Sequence, residues 1–211
     1  MPKTNITYLA LGDSYTVGES VPEMERFPEQ LIDGLKLKGI TTSVHHLIAK
    51  TGWTVSELEA GISKRKDLLK SYDLVTILIG VNDQFRGFPV SDYKISFPGI
   101  MKKALQFVGG DKNKILVISI PDYAFTPFGG GKKIISEGVD AYNAVNENIC
   151  KALGIRRVDI TEISRKGLRQ PDLVAEDNLH PSDKQYKLWV DVILKQLPEI
   201  RFTDNRIDLQ M

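Results

Sequence analysis

The sequence predicts an α/β protein built on one all-parallel, doubly wound sheet, and three observations carry that expectation. Short apolar runs alternate with amphipathic stretches five times along the 211 residues. Two of the runs, LVTILIG and ILVISIP, are apolar almost without interruption, as central strands covered by helices on both faces require. Hydrophobic residues make up 42% of the chain, enough to bury one core at this length, so a single domain over residues 1–211 is expected.

Taken in order, the strands are expected at residues 6–11, 44–49, 74–79, 115–120 and 158–160. Apolar residues at helical spacing place helices near 29–38, 55–69, 98–108, 133–153 and 183–197. Ser182-Asp183-Lys184-Gln185 has the S-x-x-Q form of a capping box and starts the last helix, leaving His180 on the loop before it. Thr54-Val55-Ser56-Glu57 is a T-x-x-E box that sets Gly52 just ahead of a helix N-terminus, where amides and dipole favour negative charge. Gly129-Gly130-Gly131 reads as a mobile loop, and the tail after Leu197, PEIRFTDNRIDLQM, is mostly polar.

Composition narrows the function classes. Lys plus Arg number 28 against 27 Asp plus Glu, and a net charge of +1 gives no field suited to nucleic acid or an anionic membrane. A small neutral partner fits better. The lone Cys150 supplies neither an intramolecular disulfide nor a thiolate metal cage and reads as a buried small apolar residue. No basic region followed by an apolar stretch and cleavage site opens the chain, and no segment has the length of a membrane span, so with Met1 as native start a cytoplasmic protein is expected.

Right-handed crossovers gather the carboxyl ends of parallel strands along one edge, where a doubly wound fold keeps its chemistry. Gly12-Asp13-Ser14 follows the first strand, Lys50-Thr51-Gly52-Trp53 the second, Gly80-Val81-Asn82-Asp83 the third and Pro121-Asp122-Tyr123 the fourth. Asp177-Asn178-Leu179-His180 precedes the last helix. Acyl transfer needs a nucleophile, a base, a group that orients the base and donors for an oxyanion. Ser14 at a strand-to-loop turn suits the first. His180 suits the second, because His45 and His46 are adjacent in one strand and point to opposite faces as structural residues. Asp177, three residues before His180, reaches its Nδ1–H and leaves Nε2 for the serine. The backbone N–H groups of Ser14 and Gly52, with the side-chain amide of Asn82, form the oxyanion hole.

These blocks together, G-D-S, an isolated Gly, G-x-N-D and D-x-x-H in that order from Gly12 to His180, resemble the SGNH hydrolase superfamily, the GDSL esterases and lipases. The resemblance implies a flavodoxin-like three-layer α/β/α sandwich with a five-stranded parallel sheet. It also implies Ser14 as nucleophile, His180 as base, Asp177 as its partner, and Gly52 and Asn82 as oxyanion donors. The expected function is hydrolysis of small acyl esters through an acyl-enzyme, with neither metal nor organic cofactor required. GVNDQFRG further resembles the thioesterase and lysophospholipase branch, and a carbohydrate deacetylase of the same mechanism is a further alternative.

Other readings compete at particular residues. Asp13 ties its loop through backbone amides rather than acting in the chemistry. Asp83 and Asp122 read as scaffold carboxylates rather than metal ligands, since no ligands stand at i, i+4 spacing. Arg86 and Trp53 are candidate substrate contacts, and Tyr123, Phe125 and Phe128 form either an acyl-group wall or a cap on the core. From another class, Ser14-Tyr15-Thr16-Val17-Gly18 suits the phosphate loop of a flavin-binding module, a reading that leaves Gly52, Asn82 and the D-x-x-H unexplained. A non-catalytic relative that binds acylated ligands is the third possibility.

Overall fold

Strand β1 (Thr4–Gly12) turns directly into the one-turn helix α1 (Ser14–Val17). The chain continues through α2 (Phe27–Leu37), β2 (Ile40–Ala49), α3 (Val55–Lys64), β3 (Leu74–Leu78), α4 (Val81–Phe85) and α5 (Val90–Phe107). It ends with β4 (Ile115–Ile118), α6 (Lys133–Leu153), β5 (Arg156–Val158), α7 (Thr161–Ser164) and α8 (Asp183–Gln196). This computed structural model describes residues 4–197, so the polar tail from Pro198 lies outside the described residues.

The five strands form one parallel sheet in the order β2-β1-β3-β4-β5. The chain steps from β1 to β2 in one direction and then back across β1 to β3. With right-handed crossovers, that reversal puts α2 on one face and α3, α5 and α6 on the other. Accordingly α2 packs on α8, while α3 packs on α5 and α5 on α6. Every residue of β3 and β4 is buried, which is why those two runs carry no polar alternation. The reversal opens a crevice between the carboxyl ends of β1 and β3.

Of the boundaries that differ from expectation, four have a clear physical reason. Helix α5 starts at Val90 and carries Pro98 in its interior, although proline suggests a first turn. The preceding two turns bury Tyr93 and Phe97, stacked with ring centroids 5.0 Å apart, and that packing outweighs the hydrogen bond lost to proline. Helix α3 stops at Lys64 rather than 69, because Arg65 adopts an extended backbone and its guanidinium grips both carboxylate oxygens of Asp67. Strand β2 begins at Ile40, four residues early, since an edge strand needs no continuous apolar run. Ser43 is the extra residue where its register against β1 shifts. Strand β5 ends at Val158 because the Asp159 carboxylate accepts the Thr161 N–H and turns the chain into α7.

The Gly129–131 segment is tied down rather than loose: Gly129 N–H donates to Thr126 Oγ1, Gly130 N–H to Thr126 O and Gly131 N–H to Ala124 O. His45 stacks on Tyr8 at 4.9 Å and faces Glu29, while His46 meets Tyr72, so the two rings do take opposite sides of β2. Cys150 is buried as a free thiol, its pKa pushed up by burial to about 11.

Candidate active site

Three loops at the carboxyl ends of β1, β2 and β3 meet the loop before α8. Ser14 is the first residue of α1, and Asp13 is its cap, accepting the Tyr15 N–H at 3.0 Å. The side chain of Ser14 is almost fully buried at the floor of a pocket of about 150 Å³, lined among others by Tyr15, Gly52, Val81, Asn82, Tyr123 and His180. His180 comes from 166 residues away in the sequence, and its Nε2 lies 2.9 Å from Ser14 Oγ. Its Nδ1 lies 2.6 Å from Asp177 Oδ2.

The acid loop is built to hold that geometry. Asp177 Oδ1 accepts the backbone N–H groups of Leu179 and His180, each at 2.9 Å, and Asn178 takes a left-handed backbone with φ of 65°. Val174 and Pro181 pair as an antiparallel bridge, with Ala175 N–H donating to His180 O at 2.8 Å. The tilted ring of Tyr15 packs against the imidazole at 5.3 Å. Burial alone would raise the pKa of Asp177. The hydrogen bonds from His180, the two amides and Ser20 outweigh it and hold the carboxyl down at about 2.

Gly52 has φ of 84°, a conformation that residues with a side chain rarely adopt, and its N–H has no acceptor among the described residues. The complete capping box of Thr54 and Glu57 fixes the helix behind it. Asn82 is placed by Gly80, whose φ of 124° and close approach to Tyr93 and Ile120 leave no room for a Cβ. Its Nδ2 donates to Trp53 O at 3.0 Å, which joins the β3 loop to the β2 loop. The first N–H of a helix has no intrahelical acceptor, and Ser14 N–H likewise has no acceptor among the described residues. Ser14, Gly52 and Asn82 therefore line one pocket together with His180, as the sequence brings them into line.

The secondary candidates separate. Asp13 is fully buried and ties its loop as expected; one carboxyl oxygen has no partner, and burial pushes its pKa up to about 8, with Asp83 adding to the shift. Asp83 accepts the Val55 N–H, and burial raises it to about 6. Asp122 pairs with Arg165 at 3.0 Å. Among the described residues no three His, Cys, Asp or Glu side chains gather into a cation site.

Tyr123 and Phe85 line the pocket, their rings 5.9 Å apart; Phe128 leans on Tyr123 at 6.4 Å, but neither it nor Phe125 is among the lining residues. Trp53 lies on Gly61 of α3, and Arg86 is occupied with Gly52 O and Glu57. Sequence reasoning reached Val81 and Phe85 only as part of GVNDQFRG, and missed Tyr15, Thr51 and Leu179 as lining residues and Ser20, whose hydroxyl donates to Asp177 at 2.7 Å. The S-x-x-Q box is half formed: Ser182 accepts from Gln185 N–H, but the Gln185 side chain donates to Leu173 O instead of returning to the cap.

Among solved structures, one similar fold is a lipolytic protein of the G-D-S-L family from Veillonella parvula, at 14% identity and TM-score 0.73, covering 90% of this chain and 97% of that one. A lipase/acylhydrolase from Enterococcus faecalis aligns at 18% identity and TM-score 0.71, over 90% and 94% of the two chains. An acetylxylan esterase from Geobacillus stearothermophilus aligns at 19% identity and TM-score 0.72, over 93% and 96%. No curated protein matches the sequence. Residues 10–188, which carry all four sequence blocks and every loop of the pocket, match the GDSL-like lipase/acylhydrolase family, and the chain belongs to that family.

Proposed function

We propose that this ester-bond hydrolase cleaves small acyl esters through a covalent acyl-enzyme formed on Ser14. The observation that carries the reading is the hydrogen-bonded run from Ser14 Oγ through His180 to Asp177 at the floor of a pocket. Ser14 Oγ attacks the carbonyl carbon as His180 Nε2 takes its proton, and Asp177 holds the imidazole and offsets its positive charge. The carbonyl oxygen becomes an oxyanion received by the N–H groups of Ser14 and Gly52 and by Asn82 Nδ2. Collapse expels the alkoxide, which leaves with the proton from His180. Water then gives a proton to the same Nε2 and attacks the acyl carbon, and collapse frees the acid as His180 returns that proton to Ser14 Oγ. These steps call for neither metal nor organic cofactor.

The apolar side chains of Val81, Phe85, Tyr123 and Leu179 around Ser14 suit an uncharged acyl group. A flavin or phosphate reading of residues 14–18 fits poorly, because Ser14 Oγ is engaged by His180 and Thr16 is fully buried. The acetylxylan esterase among the similar folds keeps acetylated sugars on the substrate panel, beside p-nitrophenyl acyl esters of graded length, lysophospholipids and acyl-CoA. The deciding variant is Ser14→Ala. It should abolish turnover and fluorophosphonate labelling while melting as the parent does; labelling that persists at another residue would overturn the assignment.

A further inference from the structure

We infer that Ser20 is a positioning residue for the triad, acting through Asp177; this rests on the acyl-transfer reading above. Asp177 Oδ2 receives two donors: His180 Nδ1–H at 2.6 Å and the Ser20 hydroxyl at 2.7 Å. The other carboxylate oxygen is held by two backbone amides of its own loop. Ser20 is thus the donor that fixes the carboxylate from outside its loop, across 157 residues of sequence. A carboxylate pinned at both oxygens presents one lone pair to the imidazole and cannot swing about its last torsion.

The backbone supplies a second, independent observation. Ser20 has φ of 66°, and among the described residues only it and Asn178 combine a side chain with a left-handed backbone. One stands beside Asp177 in sequence and the other bonds to it in space. Such conformations persist where surrounding interactions over-determine them, and they gather at functional sites. The segment also starts at the nucleophile: Gly18 and Glu19 N–H groups both donate to Ser14 O, and the Glu19 carboxylate accepts the Thr51 hydroxyl beside Gly52. The turn leaving Ser14 is therefore hydrogen-bonded to the acid loop through Ser20 and to the glycine loop through Glu19.

The backbone conformation makes the test unusually clean. Ser20→Gly removes the hydroxyl but relieves the left-handed strain, so its Tm should hold or rise. Its kcat should nonetheless fall about tenfold with KM little changed, and fluorophosphonate labelling should slow by the same factor. Ser20→Ala should lose kcat similarly, with a lower Tm. In the Asp177→Asn background, Ser20→Gly should cost nothing further, because its route to the chemistry is already cut. Parental kcat in Ser20→Gly would overturn the inference and leave the triad standing, as would the same tenfold loss in the Asp177→Asn background. Full activity in Asp177→Asn alone would overturn the triad reading, and this inference with it.

Discussion

Under the proposed mechanism, Asn82 serves two purposes with one amide. One hydrogen of Nδ2 goes to Trp53 O, and a primary amide has a second to offer the pocket. Asn82→Ala should lower kcat by about a hundredfold to a thousandfold with KM little altered, as removal of an oxyanion donor does. The lost tie to Trp53 should cost only about 1 kcal/mol of stability. Asn82→Asp should be at least as damaging, since it sets an acceptor beside the developing charge. Steady-state kinetics beside thermal melts decide; a loss in proportion to unfolded protein would make Asn82 purely structural. Asp13 gives a different kind of prediction. Unfolded it titrates near 3.8 and folded at about 8, so over that window the folded state holds a proton the unfolded chain has released. Stability therefore falls as pH rises from about 4 to about 8. Asp83, at about 6, adds the same sign only over the lower part. Asp13→Asn keeps an acceptor for Tyr15 and should flatten the decline in Tm between about pH 6 and 8, leaving below about pH 6 only the shallower part due to Asp83. At this scale Ser14, Asp177 and His180 were legible because each stands at a strand end or at a fixed short spacing. Ser20 was not, because nothing in a serine's neighbours announces a partner 157 positions away.

Among the elements, those whose signal is local were read well. Helix α6 begins at Lys133 and ends at Leu153 where its pattern does, closed by Gly154 in the left-handed region. The Thr54 box was read in full. What failed was wherever tertiary packing overrode a local rule: the proline inside α5, the polar start of edge strand β2, and Gln185, diverted from its cap to Leu173 O. Gly52 lets the element scale be tested. A Cβ there would meet nothing closer than Arg86 Nη2 at 3.7 Å, so the cost of Gly52→Ala is conformational rather than steric. Holding a side-chain residue in the left-handed region costs about 1–2 kcal/mol, which urea unfolding should register. A chain that relaxes instead turns its N–H away from Ser14, so kcat should fall by more than the folded fraction does. Parental kcat together with parental stability would show that the left-handed turn at Gly52 is not needed.

For the whole molecule, alternation of five runs sufficed to foresee the parallel sheet and the edge at which the loops gather. Strand order was not spelled out by any residue; it is a property of how crossovers cover both faces. The wall of the pocket was less legible, since Phe85 in GVNDQFRG and Leu179 in the D-x-x-H stretch stand far apart in sequence and line one pocket only once the chain is folded. Ser14 and His180 are separated by 166 residues, and that separation has a kinetic meaning. Loop closure makes such distant contacts slow to form, and Ser14 leaves the ribosome long before His180. If Ser14 is the nucleophile, as proposed, a growing or partly refolded chain carries it without a proton acceptor, inert toward esters until the Asp177–His180 loop and α8 dock. In refolding from urea, far-UV ellipticity should recover ahead of fluorophosphonate reactivity, and simultaneous recovery of the two would show instead that the sheet and the reactive centre are assembled in a single step.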